Sequence, residues 1–121
     1  MSYFSLNKKF SLKKSSDLDV VFKTGNKISS DLIFLHYVVS KDNKIKVAFS
    51  VGKKKHKLAV SRNRIKRLLK ESFSKNANNY ISMNLNYNFV FVYFGSEVPS
   101  LRMVDKSMKH LLLSFKNIVQ C

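Results

Sequence analysis

The sequence predicts a single α+β domain in which helices pack on a small sheet. Three observations indicate this fold class: the chain has 121 residues, 45% of them are hydrophobic, and its apolar positions switch between helical and strand periodicity. A chain of this length corresponds to one domain, and the apolar fraction is sufficient for a packed core. In chain order the predicted elements are α-β-β-α-β-α, which is typical of a layered α+β architecture.

The N-terminal third predicts a short helix and a polar link. Residues 15–17 (Ser-Ser-Asp) can cap a helix over about 16–24, and Gly25 is a typical C-terminal stop. The polar stretch 26–31 follows, and it has room for a short edge strand.

Three further segments predict strands. Residues 33–39 are apolar and rich in strand-forming types, and residues 45–51 alternate apolar with polar or small side chains. The polar pair 42–43 between them predicts a turn, so we expect these two strands to form a hairpin. Residues 87–94 are apolar at nearly every position, which indicates a central strand buried on both faces.

Two longer helices complete the predicted domain. Over about 58–75 the apolar residues fall on one stripe at 100° per residue, and we expect this stripe to face the core: Leu58, Ile65, Leu68, Leu69 and Phe73. Asn63, Arg67 and Lys70 fall on the opposite side, with Arg64 and Lys66 on the flanks. Pro99 and Ser100 precede the last helix, whose apolar positions are Leu101, Val104, Met108, Leu111, Leu112 and Phe115.

The charge of the chain indicates a polyanionic partner. There are 23 Lys and Arg residues against 7 Asp and Glu, a net charge of +16. Residues 53–75 hold ten of the basic residues and one acidic residue, more than half of the excess. Nucleic acid is the first candidate partner, and an anionic membrane surface is the second.

Several other classes do not fit the sequence. No apolar run approaches the roughly 18 residues of a membrane helix, and no apolar stretch follows the first charged residues as in a secretory signal. Cys121 is the only cysteine, which excludes a disulfide framework or a cysteine-based zinc site within one chain. A reducing cytoplasm therefore fits the sequence, and the interpretation developed below includes neither a membrane nor a small-molecule substrate among the partners.

The sequence offers no constellation typical of an enzyme. His36, His56 and His110 have no partner at metal-ligand spacing. The acidic residues are few and scattered, and no glycine-rich phosphate loop is present. We expect no catalytic residue and no tightly bound metal in this chain.

The most informative segment is 61–73. Arg62, Arg64 and Arg67 lie within six residues, although Lys outnumbers Arg 19 to 4 in the chain. A guanidinium group presents a planar fork that matches phosphate oxygens, whereas an ammonium group is a point charge. Asn63 adds a donor and an acceptor. The segment predicts a helix that binds nucleic acid through its polar face.

This segment resembles the signature of the protein subunit of bacterial ribonuclease P, which has the form R-N-R-x-K-R-x-x-[RK] and is met here at 62–70. The family's S-V-x-K-K is met at 50–54, its F-x-x-G at 22–25, and its leucine-lysine entry at 12–13. The resemblance covers about residues 10–118 in order, within a single domain 1–121. Leu18 departs from the family, which often has an aromatic residue at that position.

The resemblance implies an α-β-β-β-α-β-α sandwich with a left-handed β-α-β crossover, an exception to the right-handed rule. This is the fold class of the second domain of ribosomal protein S5. It also implies a function: the protein binds a catalytic RNA, and that RNA removes the 5′ leader of precursor tRNA with Mg²⁺ that the RNA mainly holds. The protein would contribute binding rather than catalysis.

Two sets of site residues follow from the resemblance. The catalytic RNA would contact the basic loop and the signature helix: Lys53, Lys54, Lys55, Lys57, Arg62, Asn63, Arg64, Lys66, Arg67 and Lys70. The single-stranded leader would lie in a cleft lined by Leu18, Phe22, Phe34, His36, Ser50 and Lys53. Aromatic faces beside ammonium groups are typical of sites that hold single strands. For Phe34 a place in the core is an equal alternative.

Three other functions compete with this interpretation. A ribosomal or RNA-chaperone-like protein without a processing role would share the charge and the sheet. A metal-dependent nuclease would need carboxylates that the sequence lacks. A helix-turn-helix DNA reader would need a second helix a short turn away from the signature helix.

Overall fold

In the computed structural model the elements follow one another in the order α-β-β-β-α-β-α. The structure describes residues 15–40, 45–81 and 86–119, with side chains from residue 18 onward. This order confirms the expected architecture, including the edge strand in the polar link. The elements are α1 (Ser15–Thr24), β1 (Asn26–Ser29), β2 (Ile33–Val39), β3 (Lys46–Val51), α2 (Ala59–Asn76), β4 (Tyr87–Tyr93) and α3 (Leu101–Val119). A 3₁₀ turn over Ala77–Asn79 follows α2.

The four described strands form a mixed sheet in the order β1-β2-β4-β3. β1 and β4 pair antiparallel with β2, and β3 pairs parallel with β4. The predicted hairpin between 33–39 and 45–51 is therefore wrong, because β4 lies between those two strands. β4 is apolar on both faces, and a central position covers both of them. The turn predicted at 42–43 lies outside the described residues.

The parallel pairing of β3 with β4 makes α2 a crossover connection. Adjacent parallel strands cannot be joined by a tight turn, so the chain leaves one end of the sheet and returns to the other through a helix. α2 packs beside α3 on one face of the sheet. Consequently the signature segment lies on a helix whose inner side is buried and whose outer side is in solvent.

The main core lies between the sheet and the two long helices. The buried side of α2 contributes Ile65, Leu69 and Phe73, each fully buried. α3 contributes Val104, Met108, Leu111, Leu112 and Phe115, and the sheet contributes Ile33, Leu35, Tyr37, Val47, Val51, Phe89, Phe91 and Tyr93. The predicted stripe of α2 is thus confirmed with one exception, and the apolar positions of α3 are buried except Leu101, which is half-buried.

The exception is Leu58, which is 71% exposed. This residue precedes the first turn of α2 and has extended backbone angles (φ −80°, ψ 129°). Because Leu58 lies outside the helix, its side chain does not follow the helical spacing of the residues after it. The predicted position of Leu58 on the core stripe is therefore wrong.

A polar cluster ties α2 to α3. The Asp105 carboxylate accepts hydrogen bonds from Ser72 Oγ (2.5 Å), Lys75 Nζ (2.8 Å) and Asn76 Nδ2 (3.3 Å). Burial raises the pKa of Asp105, but the hydrogen bonds from Lys75 and Ser72 outweigh it and hold the pKa below its ordinary value of 3.8. The ionised carboxylate is therefore part of the native packing.

α1 covers part of the other face of the sheet. Val21 is fully buried there against Val90, and Leu18, Val38, Ala48 and Val92 pack around this pair. α1 ends at Gly25, whose amide donates to Val21 O (3.0 Å). A Cβ atom on Gly25 would lie 2.3 Å from Val21 O and 2.7 Å from Tyr37 O, so a glycine is required where the helix approaches β2.

Candidate nucleic-acid interface

The face of the sheet that carries α1 is only partly covered, and its side chains form rows across the strands. One row joins Ser29, Phe34, Val92 and Ser50 through neighbouring strands. The next joins Lys27, His36, Val90 and Ala48. α1 covers the second row at Val90, where Val21 packs on it, whereas in the first row Ser29 is exposed and the other three residues are half-buried. We call the first row, together with His36 and the adjoining Phe22 ring of α1, the open face.

Phe34 lies on the open face and not in the core. Its ring is half-buried and stacks on Phe94, with ring centroids 4.1 Å apart and planes 17° from parallel. The ammonium of Lys27 sits 3.8 Å from the centroid of the Phe34 ring, a cation–π contact. Phe34 is therefore not a core residue, while its part in binding the leader stays a prediction. Lys27 and Phe94 lie beside it on the same face.

Phe22 and His36 lie at the part of the open face beside α1. The Phe22 side chain is 45% exposed, and its ring meets His36 edge-on at a centroid distance of 4.9 Å. Burial, and secondarily the positive charge of Lys27, lowers the pKa of His36. The imidazole is therefore neutral at pH 7 and presents an uncharged ring beside the exposed phenylalanine.

The loop 52–57 follows β3 and brings a cluster of lysines to the end of the sheet. Lys53, Lys54 and Lys57 are exposed. Two other loop residues contact the backbone just after β4. Lys55 Nζ donates to Phe94 O at 2.8 Å, and His56 Nε2 lies 2.8 Å from Gly95 O. The loop is thus attached to the sheet while most of its ammonium groups remain in solvent.

Arg62 fastens the same loop to α2. Its guanidinium donates to His56 O at 2.9 Å and to Lys57 O at 2.8 Å. Arg62 was predicted to contact RNA, and in the structure its side chain is partly buried and bonded to the loop. Its geometry is that of a residue that positions the neighbouring lysines.

The outer side of α2 carries the remaining residues predicted to bind the catalytic RNA, and all of them are exposed: Asn63, Arg64, Lys66, Arg67 and Lys70. The first turn of α2 contains no acidic residue. The helix dipole places partial positive charge at this same end. The loop, the start of α2 and its outer side therefore form one continuous positive surface, which we call the basic face.

Within residues 15–40, 45–81 and 86–119, no three or more His, Cys, Asp or Glu side chains come together in a group that could hold a metal ion. None of the helices described is long and apolar enough to cross a membrane.

A family model described as Ribonuclease P matches residues 6–116. The chain belongs to the ribonuclease P protein family. This membership assigns it a role in tRNA processing, as part of an endoribonuclease. It also decides against the alternative of an RNA-binding protein without a processing role.

Named relatives agree with the family assignment. The ribonuclease P protein component of Clostridium kluyveri is 35% identical over 104 residues, which cover 85% of this chain and 91% of that protein. The protein component of Clostridioides difficile is 33% identical over 107 residues, covering 88% of this chain and 91% of that protein.

Solved structures agree with the fold. The ribonuclease P protein of Staphylococcus aureus matches with a TM-score of 0.76 at 23% identity, covering 90% of this chain and 97% of that chain. The protein of Thermotoga maritima matches with a TM-score of 0.72 at 18% identity, covering 86% of this chain and 96% of that one.

Most of the predicted site residues come together in two groups. Phe22, Phe34, His36 and Ser50 share the open face, and Leu18 on α1 packs beside them against the buried pair of Val21 and Val90. Lys53 lies in the loop that follows β3, as do the other predicted loop lysines. Sequence reasoning missed Lys27 and Phe94. Phe94 continues the alternation of Val90 and Val92, but this signal was hidden because β4 is apolar on both faces.

Proposed function

We propose that this protein is the RNA-binding, non-catalytic subunit of ribonuclease P. It binds the catalytic RNA through the basic face and the 5′ leader of precursor tRNA through the open face. The single observation that carries the proposal is the division of α2 into two sides. Leu69 is fully buried while Arg64 and Arg67, five and two residues before it, are exposed.

The basic face suits the phosphates of a folded RNA. Arg64 and Arg67 offer planar donors, and Lys53, Lys54 and Lys57 add point charges around the start of the same helix. Because Arg62 and Lys55 tie the loop to α2 and to β4, these charges are held in place before RNA arrives. Such pre-organisation lowers the entropic cost of binding.

The open face suits a single strand. The stacked pair of Phe34 and Phe94 offers an aromatic surface, Phe22 offers a second one, and Lys27 supplies an ammonium group next to the first. Unstacked bases bind aromatic side chains with little preference for sequence, and nearby ammonium groups bind the phosphates. The leader of precursor tRNA is a strand of this kind.

The proposal places the active site and the Mg²⁺ ions in the RNA subunit. Phosphodiester hydrolysis needs positioned metal ions or a matched acid and base. The described residues bring together no group that fits a metal ion. Mg²⁺ would supply Lewis-acid chemistry at the RNA, while the lysines and arginines of the protein would bind and orient the two RNA molecules.

A salt titration tests the binding mechanism. A footprint that neutralises roughly 5–8 phosphates predicts that the logarithm of the affinity for the catalytic RNA falls with the logarithm of salt concentration with a slope of about −4 to −7. A slope near zero would contradict electrostatic recognition by the basic face. Sequencing the RNA that co-purifies with the chain gives an independent check, since we expect one structured RNA and not ribosomal RNA.

A further inference from the structure

A row of cations lies on the outer side of α3, outside both surfaces described so far. Arg102, Lys106 and Lys109 are all exposed, and spacings of four and three residues place them on one side of the helix. At 1.5 Å per residue the row spans about 10 Å. Arg102 is also the one arginine of the chain that lies outside the signature segment. We call these three residues the α3 row.

The acidic residue of α3 does not neutralise this row. Asp105 lies four residues before Lys109, a spacing at which ion pairs form readily on a helix. Its carboxylate is instead turned to α2, where Ser72 and Lys75 donate to it. Within the described part of the chain, no side chain of the α3 row takes part in an ion pair or a hydrogen bond.

The spacing of the row opposes the folding of α3. Arg102 and Lys106 are four residues apart, and Lys106 and Lys109 are three apart, so each pair brings two positive charges together. Like charges at these spacings destabilise a helix. Folding alone therefore does not account for the arrangement, whereas a polyanionic ligand would relieve the repulsion.

The row borders a hollow that is open to solvent. The hollow has a volume of about 490 Å³, and Leu101 and Asp105 line it together with the three cations. Because it is open, it does not enclose a small ligand, but an extended polymer can lie across it. Three cations over about 10 Å match roughly three successive phosphates on one strand of a duplex, at about 3.4 Å of axis each.

We propose that the α3 row binds the phosphates of a second segment of the catalytic RNA, distinct from the segment on the basic face. The inference rests on the proposed function, because the ligand is the same RNA. α3 packs beside α2 on one face of the sheet, and Lys75 is exposed between them, so one folded RNA can reach both helices. A membrane surface fits less well, since it would need a broad apolar side in solvent, and the main apolar side of α3 is buried in the core.

The experiment compares two triple variants of the protein in complex with the full-length catalytic RNA. The neutral variant carries Arg102→Gln, Lys106→Gln and Lys109→Gln, which remove three charges and keep good helix formers. The charge-keeping variant carries Arg102→Lys, Lys106→Arg and Lys109→Arg. Lys23→Gln removes one exposed cation from α1, on the other face of the sheet. Thermal melting verifies the fold, and Tm of the neutral variant should not fall because the repulsion along α3 is removed.

We expect the neutral variant to make the salt slope shallower by about 2–3, since each phosphate contact contributes about 0.7–0.9. The ratio of wild-type to variant affinity should consequently shrink roughly 20- to 40-fold as salt rises from about 50 to about 200 mM. The charge-keeping variant and Lys23→Gln should leave the slope nearly unchanged. In hydroxyl-radical footprinting, the nucleotides that the neutral variant no longer protects should differ from those that Arg67→Ala no longer protects.

Three outcomes would overturn the inference, and they differ in what else they refute. If Arg67→Ala makes the slope shallower but the neutral variant matches the wild type, the α3 row binds no RNA and the proposed function stands; loss of binding to vesicles of anionic lipid would then assign the row to a membrane surface. If the neutral variant and Arg67→Ala expose the same nucleotides, the row holds no second segment. If the wild-type slope is near zero, both the inference and the proposed function are refuted.

Discussion

Leu69 and Arg67 are two residues apart on α2 and face opposite sides of the helix. Leu69 is fully buried against the sheet and α3, and Arg67 is exposed on the basic face. Truncating each side chain to alanine should therefore separate folding from RNA binding. Leu69→Ala should destabilise the protein, and Arg67→Ala should weaken assembly with the catalytic RNA while the fold is unchanged.

The expected magnitudes follow from burial and charge. Truncating a fully buried leucine costs about 2–5 kcal/mol. At about 4 °C per kcal/mol for a chain of this size, Tm should fall by roughly 8–20 °C. Arg67→Ala changes an exposed position, so the free energy of unfolding should move by less than about 0.5 kcal/mol. Losing one phosphate contact should make the salt slope shallower by about 0.7–0.9.

Thermal melts and salt titrations on the same two variants check both expectations. Glu71→Gln is a useful control, because Glu71 is exposed on the same helix and carries the opposite charge, so its removal should strengthen RNA binding slightly. The assignment of the two sides of α2 is refuted if Arg67→Ala lowers Tm as much as Leu69→Ala. It is also refuted if Arg67→Ala leaves both affinity and salt slope unchanged.

Three further perturbations follow from particular contacts. Gly25→Ala should cost about 1–3 kcal/mol, since its Cβ atom would overlap the carbonyl oxygens of Val21 and Tyr37; an unchanged denaturant midpoint would contradict the close approach. Arg62→Ala should speed amide hydrogen exchange in the loop 52–57 while exchange in the last turns of α2 stays slow, because only the loop loses its partner. The free energy of unfolding should fall as the pH drops below about 4, because the pKa of Asp105 is lower in the folded chain than its ordinary value. Protonation of Asp105 ends its ionic contact with Lys75. The Asp105→Asn variant should be less stable than the wild type at pH 7, and its stability should depend less on pH.

Local periodicity was enough to predict most elements of the fold. The helix over 16–24 and the strand over 33–39 match α1 and β2 closely, because apolar spacing acts within each segment. Strand pairing was not predictable in the same way. Residues 33–39 and 45–51 are neighbours in sequence, but β4 separates them, and the driving force is burial of a strand with two apolar faces.

The candidate site shows the same division between local and long-range information. The basic face could be predicted because its charges are close together in the chain. The contact of Lys27 with Phe34 depends on the register of β1 against β2, and the stack of Phe34 on Phe94 depends on the register of β2 against β4. The hydrogen bonds of Arg62 to His56 and Lys57 depend on the path of the loop 52–57 beside α2. The spacing of residues in the motif does not predict that path.

We propose that the RNA subunit cleaves the substrate and that the protein contributes only binding, and a cleavage assay tests this most directly. Precursor tRNA with a leader of several nucleotides, or of one, is incubated with protein alone, catalytic RNA alone, or both, over a range of Mg²⁺ concentrations. We expect no cleavage by protein alone. We also expect the protein to accelerate the RNA most at low Mg²⁺, where its charge offsets phosphate repulsion, and more for the longer leader. Cleavage at the mature 5′ end by protein alone, or an equal benefit for both leaders, would contradict the account.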